Sequence, residues 1–244
     1  MSTKNKTVFI TGANKGIGFE TAKQLAQKGY YVYMGSRDKF NGLRALQELR
    51  SLGITNIDLI EIDVANVDSV ASARKELESR IQQLDLLINN AGIAGQQPQN
   101  MVSGDMENLR NVFDTNFFGA VQTTQQLLPL LKKSGEPRII NVTSGLASLT
   151  FQSSEDYNNP NAALYDAYTC SKIALNAFTV LLARELRGSN FNINCIAPGY
   201  TATALNGFKG AQTPKQAAAI IVKYATEEDC PTGKYLNKEG ETAW

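Results

Sequence analysis

Tyr168 stands four residues before Lys172 in the stretch "YDAYTCSK" (165–172). That spacing carries chemistry only on a helix, where residues four apart share one face. A phenol titrates near pH ~10, and a cation beside it favours the phenolate, so the pair could tune Tyr168 to give or take a proton near neutral pH. The alternative is a tyrosine and a lysine that share a face and do nothing. Tyr165 has no lysine four places on, and is read as a helix-start or pocket residue. The chain contains no histidine, which excludes a Ser-His-Asp triad, a Cys-His pair and any histidine-ligated metal site; no metal is expected. Cys170, Cys195 and Cys230 never form a CxxC, and their odd number suits small buried residues in a reducing cytoplasm better than a disulfide framework.

The elements that must position this pair can be traced by periodicity. Ala167, Ala174, Leu175, Phe178, Leu181, Leu182 and Leu186 recur at helical spacing, and Gly188 supplies a stop, so residues 165–187 form a helix. Apolar, β-rich runs at 6–11, 30–36, 56–62, 85–89, 138–143, 191–197 and 234–236 alternate with helical patterns, one after a Gly-rich turn and running to Lys28, and others at 39–52, 67–83, 105–133 and 214–226. Such alternation predicts βαβ units, and the economical fold is a single doubly wound, Rossmann-type α/β domain over residues 1–244, with a parallel sheet of about seven strands. The formal net charge of +1 gives no hint of nucleic acid or an acidic membrane surface. No run approaches the ~20 apolar residues that span a bilayer, and "MSTKNKTVFI" has no signal-like core, so a cytoplasmic location is expected.

Between the first strand and first helix lies "TGANKGIG" (11–18). Gly12, Gly16 and Gly18, with Asn14, Lys15 and Ile17 among them, remove bulk where a pyrophosphate must approach backbone, and the helix start offers free N–H groups. The motif lacks the G-K-[ST] of a P-loop, which argues against ATP chemistry. The second strand ends in Ser36, Arg37 and Asp38. Arg37 could stack on adenine and fork onto a 2′-phosphate, Ser36 could donate to it, and Lys15 adds a second cation, so NADP(H) is preferred. Asp38 keeps NAD(H) as the alternative, because a shift of one residue would put its carboxylate at the ribose.

These pieces, with Asp63-Val64, N-N-A-G at 89–92, Asn116, Ser144 and Pro198-Gly199 in their order, make the chain resemble the short-chain dehydrogenase/reductase family over nearly its whole length. The resemblance implies that Tyr168 protonates the carbonyl oxygen as hydride arrives from the nicotinamide. Lys172 would lower the tyrosine pKa and hold the nicotinamide ribose, Ser144 would bond the substrate oxygen, and Asn116 would order a water that resupplies the proton. Asp63 and Val64 would contact adenine. Asn90, Ala91 and Gly92 would let the chain pass close to the cofactor, and Thr201 after Pro198-Gly199 would reach the carboxamide. The lysine in "TGANKGIG" and the ending "PTGKYLNKEGETAW" resemble the carbonyl-reductase-like branch. The expected activity is therefore NADPH-dependent reduction of ketones or aldehydes, reversible as an alcohol dehydrogenase. The alternatives are an NAD-dependent alcohol dehydrogenase and, in a different class, a non-catalytic nucleotide-sensing protein on the same fold. The expected partners are a small carbonyl or alcohol substrate and further copies of the chain (a dimer or tetramer). A monomer stays open, because Ser144 and Tyr168 lie 24 residues apart and the polar stretch 152–162 between them could cover an assembly face. The segment from Tyr200 to Pro214 should fold over the substrate, with Gly207 and Gly210 allowing movement and Gly145, Leu146 and Ala147 opposite; few bulky groups there predict a roomy pocket and broad scope.

Overall fold

The computed structural model describes residues 6–155 and 164–244; most of the polar stretch 152–162 therefore lies outside the described residues. Eight strands form one sheet in the order β3-β2-β1-β4-β5-β6-β7-β8. They are β1 (Thr7–Ile10), β2 (Tyr31–Ser36), β3 (Ile57–Glu61), β4 (Leu86–Asn89), β5 (Arg138–Val142), β6 (Asn192–Ile196), β7 (Lys234–Asn237) and β8 (Gly240–Glu241). The first seven pair in parallel, with registers such as Ile10↔Ile88 and Asn89↔Asn141. TVFI in β1 and LLIN in β4 are nearly unbroken apolar runs, as strands buried on both faces must be. The eighth strand exceeds the expected count. It is a two-residue antiparallel return on β7, too short to leave a periodic signal.

Two apolar layers flank the sheet. Leu25 of α1 (Gly16–Gln27), Leu49 of α2 (Lys39–Ser51) and Ile221 of α8 (Pro214–Thr226) pack with Val8, Met34 and Ile88 on one side. Leu77 of α3 (Val67–Arg80), Leu127 of α5 (Gly119–Leu131) and Leu182 of α7 (Asp166–Glu185) pack with Phe9, Leu87 and Ile139 on the other. Strand order reverses between β1 and β4, and this switch opens a crevice beyond their carboxyl ends, the usual ligand position in such sheets. No helix among the described residues is long and apolar enough to cross a membrane.

The helix expected over 105–133 is not continuous. It consists of α4 (Met106–Phe113), a π-helical turn (Asp114–Phe118) and then α5. A π turn widens the backbone by one residue and is often found at functional sites. Here it carries Asn116 inward, 1 % exposed, while Phe118 stays half exposed. A period of 3.6 cannot reveal such an insertion, because the apolar residues on either side remain helical.

Candidate active site

The helix that carries Tyr168 and Lys172 begins at the crevice. α7 buries Ala167, Ser171, Lys172, Leu175, Asn176 and Thr179 on one stripe, so its inward face is unusually polar near the start. Tyr168 and Lys172 lie together, with the Lys172 Nζ 5.8 Å from the Tyr168 ring centroid. Nζ donates to the Val142 carbonyl at the end of β5, 2.8 Å away. Two residues on, Ser144 caps a short 3₁₀ turn (Gly145–Ala147) by accepting from the Leu146 N–H at 3.2 Å. Its side chain faces the Tyr168 phenol closely enough to lower that group's pKa. Tyr165 sits at the N-cap of α7 with its ring edge-on to Tyr168, so it is both a helix-start and a neighbour of the site.

Asn116 is fixed on the other side. Its Oδ1 accepts from the Ile93 N–H at 2.8 Å, and its Nδ2 donates to the Ile93 carbonyl at 2.9 Å and to Ser171 Oγ at 3.0 Å. Ser171 in turn donates to the Tyr168 carbonyl at 2.7 Å. A Cβ on Gly92 would lie 3.3 Å from Asn116 Oδ1 and 3.5 Å from Lys172 Nζ, so the N-N-A-G segment passes directly over both. The four expected catalytic residues are thus brought together.

Their protonation differs from the sequence expectation. Burial pushes the Tyr168 phenol up to about 12, with the Ser144 hydrogen bond pulling the other way, and lowers the Lys172 ammonium to about 8. Lys172 does not act on Tyr168 as a simple neighbouring charge. Its ammonium is directed at the Val142 carbonyl, and loss of water disfavours the charged form of both groups. At neutral pH Tyr168 is therefore a protonated acid.

The glycine loop is built against β4. The Thr11 hydroxyl accepts from the N–H groups of Asn90 and Ala91, both at 3.0 Å. Asn90 Nδ2 donates back to the carbonyls of Thr11 and Gly12 at 2.9 and 3.1 Å, so its side chain belongs to the loop itself. Gly12 has φ +65°, and a Cβ there would lie 2.9 Å from Ala91 Cα; only glycine fits. Within the loop, Ile17 packs onto the core while Lys15 is exposed and Asn14 half-buried. Gly16 and Gly18 open the turn into α1.

At the end of β2 the residues divide. Ser36 is buried, and its hydroxyl donates to the Asp38 carbonyl at 2.8 Å, so the proton expected for a 2′-phosphate is committed here. Asp38 caps α2, accepting from the Asn41 N–H at 2.8 Å, so its carboxylate is engaged by the helix start rather than free for a ribose. Arg37 is exposed beside them. Asp63 accepts from the Ala65 N–H at 3.1 Å, and Val64 is buried against the start of α5.

Beyond β6, the Pro198-Gly199 turn and Thr201 are tied down by Gln212, whose amide donates to the Pro198 carbonyl and, at 3.1 Å, to the Thr201 hydroxyl. Gly210, expected to confer movement, serves contact instead: a Cβ would fall 1.9 Å from the Thr201 carbonyl carbon. The residues present fit a dinucleotide. The glycine loop is a cradle that a Cβ would fill, and the buried Lys172 ammonium has one protein acceptor among the described residues, leaving donors for hydroxyl groups.

Residues 6–214 match the family model described as short chain dehydrogenase. The chain belongs to the short-chain dehydrogenases. As a short-chain dehydrogenase it is an oxidoreductase acting at alcohol and carbonyl groups. It is 30 % identical to salutaridine reductase of Papaver bracteatum, covering 96 % of this chain and 95 % of that protein. It is 37 % identical to a short-chain dehydrogenase (anuI) of Penicillium roqueforti, covering 90 % of this chain and 88 % of the relative. Its fold matches that of NADPH-bound carbonyl reductase from chicken fatty liver with a TM-score of 0.84 and 27 % identity, over 99 % of this chain and 100 % of the other.

Three supporting residues of this short-chain dehydrogenase carry no local signal. Gln99, buried in the loop after β4, accepts from the Tyr168 N–H at 3.0 Å and donates to the Ala94 carbonyl at 2.5 Å. It caps α7, a role the N-cap residue Tyr165 does not fill with its own side chain. Gln212 and Ser171 are the others. Only the long range of the Gln99 and Gln212 contacts, and the burial of Ser171, distinguish them from ordinary polar residues.

Proposed function

We propose that this chain is an NADPH-dependent reductase of ketones and aldehydes, reversible as an alcohol dehydrogenase, of the carbonyl-reductase-like branch. The observation that carries the reading is the convergence of Ser144, Tyr168, Lys172 and Asn116 beside the glycine loop, at the crevice where strand order reverses. A bound nicotinamide dinucleotide would supply the hydride. Gly12, Gly16, Gly18, Asp63, Val64, Gly92, Lys172, Pro198, Gly199 and Thr201 would hold it, with Asn90 and Ala91 shaping the loop. The Tyr168 phenol, protonated at neutral pH, gives its proton to the substrate oxygen as charge develops there. Ser144 directs its hydroxyl to the same oxygen, a fixed dipole where negative charge grows. The Lys172 ammonium would hold the nicotinamide ribose, and Asn116, beside it under Gly92, would order a water for proton resupply.

The preference for NADP(H) rests on exposed Arg37 and Lys15, and gains support from Asp38 being engaged at α2. Relatives named as reductases, and a carbonyl reductase of like fold that binds NADPH, point the same way. Exposed Phe118, Val180 and Leu181 support a homo-oligomer, dimer or tetramer, over a monomer. A cytoplasmic location and a single functional domain complete the reading. Tyr200, Leu205 and Phe208, all exposed, are the few bulky groups of the segment expected to fold over the substrate, and the room they leave favours broad activity on aryl and bulky ketones. The test is turnover of the purified protein on aliphatic ketones, aryl ketones and ketoesters, with NADPH and NADH side by side. Oxidation of NADPH across several classes is expected. Cofactor binding without turnover on any of them would instead indicate a nucleotide-sensing protein.

A further inference from the structure

Ser144 can serve the substrate oxygen only if its hydroxyl stays aimed at Tyr168, and the turn that carries it is anchored from a distant strand. Tyr235, in β7, is 1 % exposed, and its hydroxyl donates to the Ser144 carbonyl at 2.6 Å. β6 lies between β7 and β5, so the phenol reaches past its register partner Cys195 to a turn two strands away. Its ring is packed by Cys195 and Ala197 and lies against Trp244, with ring centroids 5.5 Å apart and planes 32° apart. The Trp244 carbonyl accepts from the Thr150 N–H at 2.7 Å, which ties the same segment to the chain just after the turn.

This anchoring is specific to the turn. The Ser144 carbonyl also accepts from the Ala147 N–H at 2.9 Å, so two donors hold one oxygen and fix the peptide plane of Ser144. Gln152 donates to the Leu146 carbonyl at 2.8 Å and Asn176 to the Ala147 carbonyl at 3.3 Å. A phenylalanine would pack in the Tyr235 cluster as well as a tyrosine does. The added oxygen therefore needs a reason, because a buried hydroxyl without a partner costs stability and, among the described residues, this one bonds only Ser144. Burial holds the Tyr235 phenol protonated, well above its ordinary range, so it remains a donor over the working pH.

We propose that Tyr235 is a positioning residue for the chemistry at Tyr168: its hydroxyl holds the Ser144 carbonyl and thereby keeps the Ser144 hydroxyl on the reacting oxygen. The proposal rests on the reductase reading above. Tyr235→Phe deletes one oxygen and leaves the ring stack. Small misplacements of a reacting group cost up to ~10²-fold, and loss of one of two anchors should cost about tenfold in kcat, with KM for NADPH changed less than about twofold. The melting temperature should move by only a few degrees. In a Ser144→Ala background, Tyr235→Phe should cause no further loss, because the residue acts through Ser144. An unchanged kcat in Tyr235→Phe, or the same loss in both backgrounds, would overturn the inference while leaving the reductase reading intact. A wild-type protein that turns over no carbonyl would overturn that reading, and the inference with it.

Discussion

The loop after β1 and the turn after β5 face the same crevice but are stabilised differently. Thr11, Asn90 and Gly12 bond mostly to backbone, strand end to strand end, and the geometry follows from two neighbouring strands and a glycine at positive φ. The Ser144 turn and the start of α7 depend on side chains delivered from afar: Tyr235 from β7, Gln99 from the loop after β4, Asn176 from within α7. Their charges differ in the same way. Lys15 and Arg37 stand in water, whereas Lys172 is 4 % exposed and Tyr168 half-buried beside it, with both pKa values displaced by burial. A binding loop needs a shape and a field, which exposed cations supply without strain. A proton-transfer centre needs fixed atoms and little water, so it carries the cost of buried polar groups.

The contrast can be broken most severely at Tyr168. Tyr168→Phe removes the acid and leaves the cofactor loop untouched, so kcat should fall by ~10²–10⁴-fold while NADPH binding, measured by fluorescence titration, stays within about twofold. Near-normal turnover would mean the proton comes from elsewhere.

Lys172→Met tests the cost of the buried centre. The folded-state value of about 8 lies below the ordinary 10.5, so the folded protein binds fewer protons than the unfolded chain between those limits. Wild-type stability should therefore rise with pH across roughly 8 to 10.5, and the full cost of burying the charge persists below 8. The methionine variant lacks this slope. At pH 7 it should be inactive yet more stable than wild type, by on the order of 3 kcal/mol in urea unfolding without cofactor, a gap that closes as pH rises. A variant less stable than wild type at every pH would show that the bond to Val142 outweighs burial.

The smallest effect belongs to the exposed loop. Arg37→Ala should weaken NADPH binding by roughly tenfold, at the low end for a charge-assisted contact because Arg37 is solvated, and should barely alter NADH binding. Equal losses for both cofactors would remove Arg37 from the 2′-phosphate and return attention to Lys15.

Much of this molecule is determined by local sequence. Apolar runs of four to six residues set the strands, the 3.6-residue period sets most helices, and the four-residue step from Tyr168 to Lys172 needs only a helix to place both on one face. The glycine loop is local in its turn at positive φ, while the neighbouring strand, through Asn90 and Ala91, fixes how it sits. What the tertiary structure alone decided concerns partners. Asp38 could face a ribose or a helix start until its contact with Asn41 is seen. Asn116 turns inward through a π insertion that periodicity averages away. Gly210 looks like a hinge in sequence and is a close contact in space. Gln99, Gln212 and Tyr235 look like any other polar residue until folding brings a carbonyl or an N–H within hydrogen-bond reach. The physical reason is the same for each: backbone conformation depends on near neighbours, while a buried polar group's role depends on which distant group satisfies it.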